Sequence, residues 1–266
     1  MATYVMSDLH GCRKEFNQML DLIQYSTECD ELWIVGDICD RGNESIPLLQ
    51  QIADNPSMHI IFGNHDVWLE KYASDLILAK KDCGCIDMTE DFVCWLHSNG
   101  GYSTADQFMD LSFPQCHDLR LYLEENRRFY QHLNIHGRKF LLVHAGLGDE
   151  YFTPDVRLSA VPEGVLVWAH IGIDDNPFND TTMIVGHTPT FCYGNEYSGR
   201  IIHGKNDTIY HIDCGCVYGK ALGCLRLDDM QDFYVPSSYP SVYECCGFAA
   251  AFFMHKKRCR NSGIFM

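Results

Sequence analysis

Long apolar runs are missing from this sequence. No stretch reaches the roughly 18 apolar residues that a membrane-spanning helix needs, so stable insertion into a membrane is not expected. Residues 1–12 meet charge and glycine almost at once and lack the apolar segment of a secretory signal. Internal repeats and low-complexity linkers are also absent. These absences predict a globular, cytoplasmic protein.

Positive charge is scarce. Twenty Lys and Arg stand against 36 Asp and Glu, which gives a formal net charge of −16. Non-specific binding to nucleic acid requires a basic surface, so nucleic acid is not expected as a partner. A chain of 266 residues with 46% hydrophobic content can still bury a large core. Nothing in the sequence indicates the oligomeric state.

The fourteen cysteines lack the C-x-x-C spacing of a zinc knuckle or a redox motif. Two pairs, Cys83-Gly-Cys85 and Cys214-Gly-Cys216, have the shorter C-x-C spacing. A chain of this length does not need disulfides for stability. We therefore expect reduced, mostly buried thiols rather than a structural zinc site or a disulfide framework.

Short apolar runs that end in turns bearing Gly, Asp or His recur along the chain. They lie at residues 4–6, 31–35, 59–62, 139–143, 182–185 and 208–212. Because they are short and rich in β-branched and aromatic residues, they predict buried strands. The apolar spacing of residues 13–27 predicts a helix, and residues 44–54 predict a second one. The alternation predicts an α/β protein with polar groups at the carboxyl ends of its strands.

The chain is expected to form one domain over residues 1–245. Residues 67–135 have helical spacing and predict a mostly helical insertion over the site. The remaining segment, 246–266, places an apolar run before a cluster of Lys and Arg. Two interpretations of this tail stay open: a final core element, or a segment that docks on a partner or a membrane surface.

Side chains able to bind metal follow successive predicted strands. The six residues are Asp8, His10, Asp37, Asn64, His144 and His187. Asp8 and His10 stand two residues apart, and in an extended strand exit such side chains point the same way. A carboxylate such as that of Asp37 can bridge two ions. Six ligands from five strand ends suit a pair of divalent ions about 3.5–4 Å apart. Mixed nitrogen and oxygen ligands favour manganese first, with iron or zinc as alternatives.

Five motifs follow one another along the chain: SDLHG at 7–11, GDICDRG at 36–42, GNHD at 63–66, LLVHAGL at 141–147 and VGHTPT at 185–190. In their order and approximate spacing they resemble those of the calcineurin-like metallophosphoesterases, in particular the bacterial and phage members of the phosphoprotein-phosphatase branch. The resemblance implies a β-sandwich of two mixed sheets flanked by helices. It also implies a dinuclear metal site at the strand ends and hydrolysis of phosphate esters by a metal-bridged hydroxide.

Residue roles follow from the same resemblance. Asp8, His10 and Asp37 would hold the first metal, and Asp37, Asn64, His144 and His187 the second. His65 would protonate the leaving group, Asp40 would orient His65, and Arg41 would bind phosphoryl oxygens. These roles suit the chemistry, because His titrates near neutral pH and Arg presents a planar fork to phosphate.

Two departures from the family pattern bear on the substrate. Eukaryotic-type protein phosphatases carry an Arg before the GNH motif and another after a Trp, whereas here Phe62 precedes Gly63 and Ala169 follows Trp168. GNHD after an apolar residue resembles the symmetrical diadenosine tetraphosphatases, whereas WLHSNGG at 95–101 resembles phage and bacterial protein phosphatases.

The sequence favours a Ser/Thr-type protein phosphatase acting on phosphorylated protein. The alternatives are a bis(5'-nucleosyl)-tetraphosphatase or related nucleotide hydrolase and, more remotely, a non-catalytic metal-binding scaffold. A nucleotide substrate would need aromatic groups to stack a base. Candidates in the insertion are Tyr102, Phe108, Tyr122 and Phe129.

Overall fold

The computed structural model of the chain describes residues 1–82 and 86–241. The predicted tail 246–266 and the Cys83-Gly-Cys85 pair lie outside the described residues. The described residues form ten strands: β1 Thr3–Met6, β2 Glu31–Val35, β3 Met58–Ile61, β4 Tyr130–Ile135, β5 Arg138–Val143, β6 Thr181–Val185, β7 Ile202–His203, β8 Ile209–His211, β9 Ala221–Arg226 and β10 Gln231–Pro236.

The strands form two five-stranded mixed sheets. The first has the order β10-β9-β1-β2-β3. In it β1, β2 and β3 are parallel to one another, and β9 pairs antiparallel with both β1 and β10. The second has the order β4-β5-β6-β8-β7, with β5, β6 and β8 parallel. Because parallel strands end at the same edge, each sheet brings several strand-end loops together.

A continuous apolar layer lies between the two sheets. Val5, Trp33 and Val35 of the first sheet belong to one buried cluster with Phe140 and Leu142 of the second. The alternate residues of the same strands pack against helices; Tyr4 and Met6, for example, join the larger cluster that contains helix residues. Each inner strand is therefore buried on both faces, which explains its nearly continuous apolar sequence.

Helices cover the outer faces of the sandwich. They are α1 Arg13–Leu22, α2 Ser45–Ala53, α3 Asn64–Asp82, α4 Glu90–Val93, α5 Gly101–Asp110, α6 Phe113–Glu125 and α7 Glu163–Trp168, with a π-helical turn at Cys94–Ser98. Helices α3 to α6 occupy most of the segment between β3 and β4. None of the helices in the described ranges is long and apolar enough to span a bilayer.

The predicted architecture of two mixed sheets flanked by helices is confirmed. The predicted first helix is too long, because it ends at Leu22 rather than residue 27. Gln24 adopts a positive φ of 52° there, which turns the chain out of the helix toward β2. The second helix starts and ends within one residue of its predicted bounds. Residues 130–135, expected within the helical insertion, form β4 instead.

Candidate metal centre and active site

The loops that carry the predicted ligands meet where the two sheets end. Asp8, Asp37 and Asn64 follow β1, β2 and β3, while His144 and His187 follow β5 and β6. Backbone hydrogen bonds join the loops within each sheet: Asp8 N to Gly36 O at 3.0 Å, and Gly186 N to His144 O at 2.8 Å. The nine predicted site residues are thus brought into one region of the molecule.

Asp37 lies at the centre of this region. Its Oδ2 is 3.4 Å from His144 Nε2, 3.6 Å from His10 Nε2 and 3.9 Å from His65 Nε2. Two groups of potential ligands share it: Asp37 with His10 and His65, and Asp37 with His144 and His187. A carboxylate common to both groups has the position that a bridging ligand requires.

The imidazoles near Asp37 are oriented for metal binding. Nδ1 of His10 donates to the Cys39 carbonyl at 2.8 Å, and Nδ1 of His144 donates to the Val35 carbonyl at 2.9 Å. Each ring therefore presents Nε2 to the centre, as metal-bound histidines do when their other nitrogen is held by a carbonyl. Asn64 Oδ1 lies 3.3 Å from His144 Nε2 and provides an oxygen atom as a further potential metal ligand.

The electrostatics of the centre also fit a cation. Burial opposes ionisation of Asp37, but the positive charge on His144 holds the pKa of Asp37 well below its usual range. Burial also opposes charge on His144, but ionised Asp37 outweighs it and raises the pKa of His144 to about 10. Negative charge at Asp37 thus requires positive charge beside it. Divalent ions satisfy that requirement as a proton does.

Asp8 is held differently from the expectation. Its carboxylate accepts the backbone N–H of His187 at 3.0 and 3.2 Å, which joins the end of β1 to the end of β6. The premise of an extended strand exit is wrong, because β1 ends at Met6 and both Asp8 and His10 have positive φ angles of 51° and 42°. A tight turn, not the strand alternation, sets the directions of these two side chains.

His65 and Asp40 form a buried pair beside the metal centre. His65 Nδ1 lies 2.6 Å from Asp40 Oδ2, and Trp95 Nε1 donates to the same oxygen at 2.8 Å. Burial raises the pKa of Asp40 to about 8 and, together with Arg41, lowers the pKa of His65. Nε2 of His65 is buried without a hydrogen-bond partner among the described residues. The free ring nitrogen faces the space beside Asp37.

Arg41 reaches the same space from the loop after β2. Its guanidinium contacts His10 Nε2 and lies 5.6 Å from the ring centroid of Tyr218. Its backbone N–H donates to the Gly100 carbonyl at 3.1 Å, so the Asn99-Gly100-Gly101 segment supports it. Gly100 has a φ of 82°, and a Cβ there would lie 2.8 Å from Arg41 atoms.

Sequence reasoning missed several groups that support these residues. Asp66 was assigned no role, yet its carboxylate accepts the N–H groups of Asp37 at 2.8 Å, Ile38 at 3.0 Å and Gly63 at 2.9 Å. It thereby ties the loop after β2 to the loop after β3. Trp95 and Thr104, from the insertion, hold Asp40. The position of Asp66 inside the GNHD motif was the one available signal.

Two motif glycines are required by the closeness of the ligands. A Cβ on Gly63 would lie 2.1 Å from Asp37 Oδ1, and one on Gly186 would lie 2.2 Å from Asp8 Oδ2. Such contacts are far shorter than van der Waals separation. The glycines before Asn64 and His187 therefore allow the strand ends to approach each other.

The model of the calcineurin-like phosphoesterase family matches residues 1–212. This chain belongs to that family. The resemblance read from the motifs is confirmed, and the chain is a hydrolase of the dinuclear metallophosphoesterase type, whose members use divalent metal ions. None of the nine predicted site residues is missing, so nothing in the site supports the non-catalytic alternative.

Relatives of this phosphoesterase include symmetrical bis(5'-nucleosyl)-tetraphosphatases. The enzyme of Nitrosomonas europaea is 26% identical, with 89% of this chain and 98% of the relative covered. That of Glaesserella parasuis is 28% identical, with 88% and 97% covered. Both matches extend over nearly the full length of the relative.

Solved structures share the fold of this phosphoesterase. A protein proposed to be a diadenosine tetraphosphatase superposes with a TM-score of 0.60 at 18% identity, over 89% of this chain and 93% of that one. A protein serine/threonine phosphatase from Saccharomyces cerevisiae superposes with a TM-score of 0.58 at 14% identity, over 90% and 81%. One scaffold thus accommodates both substrate classes considered from the sequence.

Replacing Gly63 by Ala should abolish metal binding at the centre, because the new methyl group would occupy the position of Asp37 Oδ1. Gly164→Ala is the matched control, since a Cβ there meets nothing within 4 Å. Metal content measured by mass spectrometry after dialysis should fall for the first variant and stay unchanged for the second. Full metal occupancy in Gly63→Ala would contradict the described packing of Asp37.

Proposed function

We propose that this protein hydrolyses dinucleoside tetraphosphates symmetrically, to two nucleoside diphosphates. The observation that carries the proposal is the end-to-end match to relatives named for that activity, which covers 89% of this chain and 98% of the Nitrosomonas europaea enzyme. The proposal reverses the order favoured by the sequence, which placed protein phosphatase first.

The surroundings of the site support the same choice. Phe62 stands where protein phosphatases carry an Arg, and it is fully buried with its ring 6.0 Å from that of Phe129. That position therefore offers no charge to a phosphate. Ala169, directly after Trp168, stands in place of the second Arg. The next residue, His170, is exposed, and its ring centroid lies 5.1 Å from that of His187.

Six residues are proposed to hold two divalent ions. Asp8, His10 and Asp37 would hold one, and Asp37, Asn64, His144 and His187 the other. When bound, these ions supply the activated water and neutralise charge on the phosphoryl oxygens. Manganese is proposed first, because mixed nitrogen and oxygen ligands suit it and the chain uses no sulfur ligand at this centre.

Three further residues would act on the substrate or on each other. The guanidinium of Arg41 reaches the proposed metal centre, where its two forked N–H groups can bind two oxygens of the attacked phosphoryl group. His65 presents Nε2 to the same space and would donate a proton to the leaving oxygen. Asp40 holds Nδ1 of His65 and thereby fixes the ring. Negative charge on a bound phosphate would favour the protonated imidazole.

The aromatic candidates for base stacking differ in accessibility. Phe108 and Phe129 are buried in the apolar core and are not available to a nucleotide. Tyr102, by contrast, is 61% exposed at the start of α5, two residues after the Gly100 carbonyl that holds Arg41. Tyr102 is therefore the proposed stacking platform for one base, since an exposed aromatic face can bind any nucleobase.

The substrate is tested by comparing kcat/KM for diadenosine tetraphosphate and for a phosphoserine peptide with Mn²⁺. We expect a clear preference for the dinucleotide, with ADP as the nucleotide product. Asp37→Asn, which lacks the shared ligand charge, serves as the control for contaminating phosphatases. Preference for the peptide would restore the protein-phosphatase interpretation, and ATP with AMP as products would contradict symmetrical cleavage.

The role of His65 is tested with leaving groups of different basicity. His65→Asn should lower kcat about 10²–10⁴-fold on an alkyl phosphate, the usual worth of a general acid. The loss should be much smaller on p-nitrophenyl phosphate, whose leaving group does not need a proton. His132→Asn, on an exposed position of β4, is the control. Equal losses on both substrates, or loss of metal, would show that His65 has another role.

A further inference from the structure

Two thiols and a carboxylate lie together at the start of α1, outside the set of residues assigned to phosphoryl transfer. Cys12 precedes the first helical residue, Glu15 lies in the first turn, and Cys216 begins the turn between β8 and β9. Their sulfur and oxygen ligand atoms all lie within 4.8 Å of one another. All three are 1% exposed, and neither cysteine forms a disulfide.

Glu15 is a buried carboxylate in the first turn of α1. Its Oε1 accepts the N–H of Ser238 at 2.8 Å and the Ser238 hydroxyl at 2.5 Å. No ion pair within residues 1–82 and 86–241 involves Glu15. Burying a carboxylate is costly, and a bound cation offsets that cost.

The two thiols point to a cation. The Cys12 thiol donates to the His10 carbonyl at 3.9 Å, and its sulfur lies within 4.8 Å of the sulfur of Cys216, a residue distant in the sequence, beside the carboxylate. Cysteine sulfur and glutamate oxygen both ligate zinc in proteins, where the ion is usually tetrahedral.

We propose that Cys12, Glu15 and Cys216 bind one thiophilic divalent ion of the zinc type, at a site separate from the dinuclear centre. On binding, the two thiols release their protons to solvent and the thiolates and carboxylate ligate the ion. A water molecule would complete the tetrahedron. It can enter from an adjoining cavity of about 280 Å³ that Cys12 and Glu15 line together with Ser238 and Tyr239.

The location would let the ion link two parts of the fold. Cys12 lies two residues after His10, and Cys216 lies three residues after the buried Asp213. The ion would therefore join the loop after β1, in the first sheet, to the turn after β8, in the second. Structural zinc sites stabilise the fold that brings their ligands together.

Cobalt substitution tests this site without an activity measurement. The proposed ligands of the dinuclear centre include no sulfur, so a sulfur-to-cobalt charge-transfer band in the near ultraviolet reports on thiolate ligands alone. We expect the band in the Co²⁺-loaded protein. In the Cys12→Ser/Cys216→Ser variant the band should vanish and the protein should bind one equivalent less of metal. Cys116→Ser, another buried free thiol, should keep both.

Two measurements keep the proposal testable if the double variant does not fold. X-ray absorption on the zinc-loaded, unaltered protein should show zinc–sulfur scattering at about 2.3 Å. Glu15→Gln keeps the shape of the side chain but removes its charge, so it should retain the charge-transfer band and weaken cobalt affinity at least about 10-fold. The proposal is overturned if no zinc–sulfur scattering appears, if the band survives in the double variant, or if the isolated protein holds a Cys12–Cys216 disulfide.

Discussion

The carboxylate of Asp37 is the group on which the rest of the site depends. One oxygen faces the Nε2 atoms of three histidines at 3.4 to 3.9 Å, and the other accepts the backbone N–H of His65. Its own backbone N–H is held by Asp66. These contacts of Asp37 hold the loops after β2 and β3 together. They also set the distance between the two groups of potential metal ligands that share Asp37.

Holding so many ligands close together has a conformational cost. Six of the nine predicted site residues have positive φ angles: Asp8, His10, Asp37, Asp40, Arg41 and His187. Such backbone conformations cost on the order of 1–3 kcal/mol each when they are strained, although Asp and His tolerate them better than most residues. The buried layer between the two sheets supplies the rigid frame that maintains these turns.

The sequence predicted the parts of the molecule that local pattern determines. Apolar runs marked the strands, and the ligand-type residue after each run marked the centre, because the period of a strand and its end are local properties. The turn that orients Asp8 and His10 was not predictable in this way, since strand alternation does not continue beyond Met6. Trp95 and Thr104 hold Asp40 across 55 and 64 residues of sequence, a contact that only the packed insertion reveals.

Substrate choice depends on the periphery of a centre that is common to both interpretations. Asp37 and its neighbours suit attack on any phosphoryl group, whereas the proposed choice of substrate rests on the buried Phe62 and the exposed Tyr102. The most direct test of the account is anomalous diffraction from crystals grown with Mn²⁺. The account predicts two manganese peaks about 3.5–4 Å apart with the Asp37 carboxylate between them. A single peak, or two peaks that do not share Asp37, would contradict it.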